Sequence, residues 1–186
     1  MTVSLHEERA SVAPFGDPDW RTKFTPDRIA ILRGDGAVVA ERHDPRTSFA
    51  GHEIATPWDP LHRAYFNGYA LWTYLATPFL LTIDGVQVTE REPWTEGRET
   101  WRVLRARFPG SIATHSALQD FFFGDDLLLR RHDYNVDVAG AFDAAQLVYD
   151  SIEADGIRLP SRRRASTRGT DSRPRLDPLM AWPGPM

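Results

Sequence analysis

The sequence predicts an α+β fold: a strongly curved antiparallel sheet of about seven to nine strands, a half-barrel-like meander, packed on one long aromatic-rich helix. Three observations predict it. A single convincing helix opens at Asp59-Pro60. From Val86 onward the apolar pattern has period two, broken by the turn signals Glu96-Gly97, Gly124-Asp-Asp126 and Asp155-Gly156. The connections between these runs are short, which favours an antiparallel meander over strand–helix–strand units.

The elements follow in chain order. Val3 to Val12 alternates weakly around His6-Glu-Glu-Arg9 and reads as a hairpin or a bent strand. Phe15 to Trp20 is a loop rich in turn formers. Arg28 to Arg33 and Ala37 to Arg42 flank Gly34-Asp35-Gly36 and form a hairpin. A loop containing proline and histidine runs from His43 to Pro57. The helix spans Pro60 to about Ala76: Asp59 is a good N-cap, Pro60 suits the first helical position, and Pro78 ends it. Leu61, Tyr65, Gly68, Tyr69, Trp72 and Leu75 recur at helical spacing, with Phe66, Leu71 and Tyr74 on other faces, so this helix is buried on most sides. Strands are expected at Val86–Glu92, Thr100–Phe108, Leu118–Phe123, Leu127–Val136, Gln146–Ile152 and Ile157–Arg164. Residues 1–160 make one domain, and 161–186, rich in Arg, Pro and Ser, a mostly disordered tail.

Composition narrows the chemistry. A net charge of -4 gives no general attraction to nucleic acid or anionic membranes. The absence of cysteine excludes disulfides, thiolate metal sites and a cysteine nucleophile. The longest apolar stretch, Ala64 to Leu81, is interrupted by Asn67, Gly68, Thr73, Thr77 and Pro78 and reads as a buried helix, so no membrane span is expected. The N-terminus lacks the basic and apolar regions of a signal peptide, which makes a cytoplasmic location the default.

Several constellations could carry chemistry. Asp59, His62 and Tyr65 share the start of the helix: a carboxylate beside an imidazole is a general acid–base unit, and a tyrosine one turn on could donate to a developing oxyanion. Against that, Asp59 is explained as a cap and Tyr65 as core. His52-Glu53 fails as a zinc-protease motif because Thr56 stands where the second histidine should be. A metal site from His43, His52, His62 and His115 lacks any pair at the usual short spacings, and no metal or other cofactor is expected. The aromatic set around Tyr65, Tyr69, Trp72, Trp101 and Phe122 reads either as plain core or as the lining of a pocket for a greasy ligand. Arg130, His132 and Tyr134 alternate with Arg131 and Asp133, so one strand face could hold a polar lining; a solvated face is the commoner explanation. The arginines from Arg162 to Arg175 lack interleaved aromatics and read as a solvated tail.

Phe24-Thr-Pro-Asp-Arg-Ile-Ala-Ile, Phe49-Ala-Gly-His, Trp58 through Leu75, Asp133-Tyr134 and the run from Asp155 to Arg164 resemble an uncharacterised family of bacterial proteins. The resemblance implies a helix laid against a curved sheet, similar in outline to lipoprotein-carrier half-barrels, which shield an acyl chain in a concave apolar face. It also implies a chain shortened at both ends, whose exposed sheet edge would pair with a second copy into a homodimer.

The expectation is a binding protein for a hydrophobic small molecule or acyl chain. Tyr65, Tyr69, Trp72, Trp101 and Phe122 would line its cavity, and His62 or Arg130 would meet the polar end. The alternatives are a small cofactor-independent enzyme, a cyclase, isomerase or hydrolase with His62 as base, Asp59 as its orienter and Tyr65 as oxyanion donor, or a module that pairs through sheet edges.

Overall fold

The computed structural model of the chain describes residues 1–178. It is an α+β fold with one α-helix and two antiparallel sheets, the larger curled into a half-barrel. The smaller sheet is a five-stranded meander: β1 (Thr2–Val3), β2 (Ala10–Ser11), β3 (Arg21–Thr25), β4 (Arg28–Leu32) and β5 (Val38–His43). A 3-10 turn at Pro45–Phe49 leads to the helix, α1 (Pro60–Ala76). The larger sheet holds β6 (Gln87–Glu96), β7 (Glu99–Arg107), β8 (Leu118–Phe123), β9 (Leu129–Val136), β10 (Phe142–Ala154), β11 (Ile157–Arg168) and β12 (Pro174–Pro178), each beside its neighbour in sequence.

Two sheets stand where the sequence suggested one. The N-terminal hairpin and β3 join the predicted hairpin of β4 and β5, and the whole segment from Asp44 to Val86 separates them from β6. Strand β3 was hidden because a polar run, Arg-Thr-Lys, precedes its one large apolar residue, Phe24. Residues from Ser161 on continue β11 and then β12, where a disordered tail was expected; residues 179–186 lie outside the described residues. The β11 register explains the difference: Arg163 is carried inward, donating to Gln146 Oε1 and to the Tyr74 carbonyl at 2.8 Å each.

Helix α1 is clamped at its start by a capping box. The Asp59 carboxylate accepts from the His62 N–H at 2.7 Å, and His62 Nδ1 accepts from the Asp59 N–H at 3.3 Å. The two bonds satisfy donors that a helix start leaves open. Gly68 lies against Phe24 of β3, so closely that a Cβ there would sit 2.3 Å from the ring. The helix therefore gives up the propensity of an alanine for close approach to the smaller sheet. Its other side reaches the larger sheet, where the Tyr74 hydroxyl lies 3.1 Å from that of Tyr134 on β9. The main core fills this sandwich: Phe24, Ile29 and Ile31 from the smaller sheet, Tyr65, Tyr69 and Trp72 from the helix, Phe121, Ala144 and Val148 from the larger sheet. A second, small cluster of Trp101, Val103 and Phe122, with Trp94 against it, occupies the opposite face.

Strand β9 is buried on both faces, contrary to the solvated face expected of its charged sequence. Arg131 and Asp133 are 0% and 3% exposed and bind each other through paired hydrogen bonds of 2.6 Å. The Arg131 guanidinium lies over Trp94 and Phe122 at 5.0 and 4.7 Å, and it also donates to the Ser172 carbonyl. The loop after β11 thus closes over a charge that would otherwise be costly to bury.

Candidate functional site

Asp59 and His62 meet as the sequence suggested, but in the capping box. The remaining His62 nitrogen, Nε2, lies 3.3 Å from the Ser48 carbonyl, so both ring nitrogens are engaged with backbone. Burial holds the imidazole below its ordinary value against the pull of Asp59. The second Asp59 oxygen accepts from Arg42 at 2.7 Å. Partial burial would raise this carboxyl, and the hydrogen bonds from Arg42 and the His62 N–H outweigh it and keep it low. Tyr65 lies one turn further on, and its hydroxyl reaches the Pro26 carbonyl only at 3.5 Å. Of the four histidines considered as a metal set, His52 and His62 have ring centroids 4.9 Å apart, while His115 stacks on Tyr134 in the core. No cluster of metal-ligating side chains occurs among the described residues.

The aromatic residues expected to line one cavity are divided. Tyr65, Tyr69 and Trp72 are packed in the main core, and the Trp72 indole N–H donates to the Ser4 carbonyl at 2.9 Å. Trp101 and Phe122 sit in the small cluster on the other face of the larger sheet. Arg130 goes to neither place. The register of β8 and β9 shifts between Phe122 and Phe123, pairing them with Arg131 and Leu129 and leaving Arg130 as the extra residue. That bulge turns its side chain to Asp126, at 2.8 Å, in a groove of about 270 Å³ beside Leu127 and Tyr149.

Between helix and larger sheet the core carries a polar string. Tyr74 Oη is 2.8 Å from His115 Nε2, Gln119 Nε2 donates to Thr114 Oγ1 at 2.7 Å, and His132 Nε2 lies 2.6 Å from Gln119 Oε1. Burial, with the positive charge of Arg46, drives His115 down to about 3, and burial takes His132 well below its ordinary value. Both imidazoles are neutral in the folded protein at any ordinary pH and too weakly basic to take a proton from substrate.

A different place gathers chemistry. A cleft of about 320 Å³ opens where the two sheets meet beside α1. One wall is the β7–β8 connection, with Phe108, Pro109 and Ile112; the other carries Tyr65 and Arg46. Arg46, from the 3-10 turn, donates to the Thr114 carbonyl at 2.8 Å and to Asp137 at 3.4 Å. Its charge acts on Glu8, Tyr65, Tyr69, His115 and Asp137, and Asp44 lines the cleft as well. Glu8 supports the wall from behind: its Oε2 accepts the Ala113 N–H at 3.0 Å. Burial raises the Glu8 carboxyl to about 8 in spite of that bond and of Arg46. Glu8 Oε1, the Tyr69 hydroxyl and His115 Nδ1 are buried with no hydrogen-bond partner among the described residues. Such orphans are few in native proteins and mark places where a further group belongs.

Of these residues the sequence pointed to Tyr65 and Tyr69 as site members, and to His115 only as one of a metal set. Glu8 was hidden in the polar middle of the first hairpin and Arg46 in a loop, and nothing local in either segment signals their meeting. In comparisons with protein-family models, curated proteins and solved structures, nothing matches the chain.

Proposed function

We propose that the protein binds a small, largely apolar molecule in the cleft beside Tyr65, at the junction of the two sheets. One observation carries the reading: the apolar side chains of Phe108, Pro109 and Ile112 share a cleft with the Arg46 guanidinium and with the Tyr65 hydroxyl, whose O–H makes only a long bond to Pro26. That combination suits a ligand with a greasy body and one polar end. The curled sheet supports the analogy with lipoprotein-carrier half-barrels in outline, but the proposed ligand sits at the edge of the sandwich, since its middle is packed with side chains. The first test is native mass spectrometry of protein purified from its own host, with identification of whatever is bound. A small organic molecule at one per chain, lost on substituting Ile112→Asp in the cleft wall, supports the reading. An empty protein that also ignores a panel of apolar probes overturns it.

A second reading, a small enzyme, is favoured by one observation: Glu8 has a free oxygen and a carboxyl raised to about 8, close to the range of a general base. In that reading Glu8, and not the capped His62, is the proton-transfer group. Turnover of the bound molecule, abolished by Glu8→Gln with the fold intact, is its test. Of the sheet edges, that of β6 is a poor site for pairing with a second copy, since it carries Glu90, Arg91, Glu92 and Pro93 and a register shift between Arg91 and Trp94.

A further inference from the structure

We infer that the polar end of the ligand is a carboxylate, received by the guanidinium of Arg46 and the hydroxyl of Tyr65. The inference rests on the reading of the cleft as a small-molecule site and names the class of molecule.

Arg46 leaves donors unused. Its bonds to the Thr114 carbonyl and to Asp137 fix the guanidinium at the cleft wall, and the second of these is long, at 3.4 Å. A guanidinium has more N–H donors than those bonds occupy, and their fork matches the oxygens of a carboxylate. Tyr65 adds a donor: its oxygen has Arg46 as a side-chain hydrogen-bond partner, and its O–H, with only a 3.5 Å contact to the Pro26 carbonyl, can turn to a better acceptor. Behind it the Tyr69 ring packs at 5.5 Å, with a buried hydroxyl that has no partner among the described residues. Hydroxyl and guanidinium donors thus collect on one side of the cleft, and Phe108, Pro109 and Ile112 offer nothing polar from their side chains on the other.

Charge decides the kind of acceptor. Two carboxyls interact with Arg46, Glu8 and Asp137, and a third, Asp44, lines the cleft. Glu8 is raised to about 8 by burial, so it is protonated and uncharged at neutral pH. Asp137 is raised as well by burial, against the pull of Arg46. Arg46 keeps N–H donors beyond its long contact to Asp137, and a single cation suits a monoanion. A phosphate, with a larger charge, would call for further cations than the cleft provides. The Phe108, Pro109 and Ile112 side chains favour a hydrocarbon or aromatic remainder.

The test compares matched pairs of probes that differ only at the polar end: octanoate against 1-octanol, and 2-naphthoate against 2-naphthylmethanol, titrated at pH 6.5 and followed by protein amide shifts. Each acid is expected to bind at least about tenfold more tightly than its alcohol. Arg46→Gln should remove the preference while the alcohols still bind, and Tyr65→Phe should reduce it. Because Arg46 also holds the Thr114 carbonyl, Arg46→Gln could unfold the wall. Tyr65→Phe deletes only a hydroxyl, leaves the Arg46 bonds to Thr114 and Asp137 in place, and keeps the inference open to refutation. Acids and alcohols binding alike at the cleft, or a preference indifferent to both substitutions, would overturn the carboxylate and leave the cleft as a binding site. Probes that shift no cleft amide up to millimolar concentration would overturn the site itself.

Discussion

Glu8 ties the connection between β1 and β2 to the cleft wall through a carboxyl that titrates at about 8 in the folded chain, against an ordinary 4.5. Between those values the unfolded state holds fewer protons than the folded one, so stability falls as pH rises from 4.5 through 8. The loss is on the order of a few kcal/mol. Glu8→Gln, which keeps an oxygen for the Ala113 N–H but cannot ionise, should flatten this dependence and exceed the wild type at pH 9 in urea midpoint. Parallel profiles for the two proteins would show that the carboxyl is solvated after all. The same ionisation places a negative charge near Arg46, with Tyr65 and the Ala113 N–H as its other neighbours. Octanoate affinity should therefore weaken between pH 6.5 and 9 in the wild type and stay level in Glu8→Gln. Gly68→Ala is a test of packing. An alanine Cβ would meet the Phe24 ring at 2.3 Å, so the substitution should cost about 3 kcal/mol despite alanine's better helix propensity.

At the scale of elements, the start of α1 is held by Asp59 in two ways, as cap and as partner of Arg42. Asp59→Ala should lower stability by about 1–2 kcal/mol, and Asp59→Asn, which keeps the cap, by less than half of that; equal losses in a denaturant titration would refute the capping account. Helix α1 was legible to the residue because each of its signals is local: the cap, the proline at the first position, the spacing of Leu61, Tyr65, Tyr69 and Trp72, and the stop at Pro78. The strands β6 to β11 were legible because period-two runs are separated by glycine turns. What escaped depends on partners far away in the chain. Strand β3 is recognisable only once Phe24 is seen under Gly68. The inward turn of Arg131 and Asp133 depends on Trp94 and Ser172, and the diversion of Arg130 on a bulge that no residue type announces. The cleft escaped for the same reason: its members come from the first hairpin, a 3-10 turn, the helix and the β7–β8 connection. The candidate trio Asp59, His62 and Tyr65 was adjacent in sequence, and adjacency at a helix start is first of all a capping geometry.

For the molecule as a whole, opposing titrations set the pH of greatest stability. His115 titrates at about 3 when folded and near 6.5 when exposed, and His132 is displaced in the same direction. These depressed bases add stability above pH 6.5 that drains away as pH falls toward 3. On the acid side His115 and His132 work against the raised carboxyls Glu8, Asp133 and Asp137; above pH 6.5 the Glu8 slope continues to pH 8, so the unfolding free energy should fall from pH 6.5 to 8. A profile that keeps rising to pH 9 would contradict the buried state of Glu8.

The cleft has one further consequence. Its walls come from stretches of chain as far apart as Pro26 and Asp137. No fragment contains it, and no partly folded form that lacks the docking of the two sheets can present it. An occupant would act as a clasp between layers: opening of the sandwich would require its release, so the escape rate of the native state would slow in proportion to occupancy. Amide hydrogens in the β3–β4 turn and the β7–β8 connection, which share no hydrogen-bond ladder, would then exchange with solvent in step.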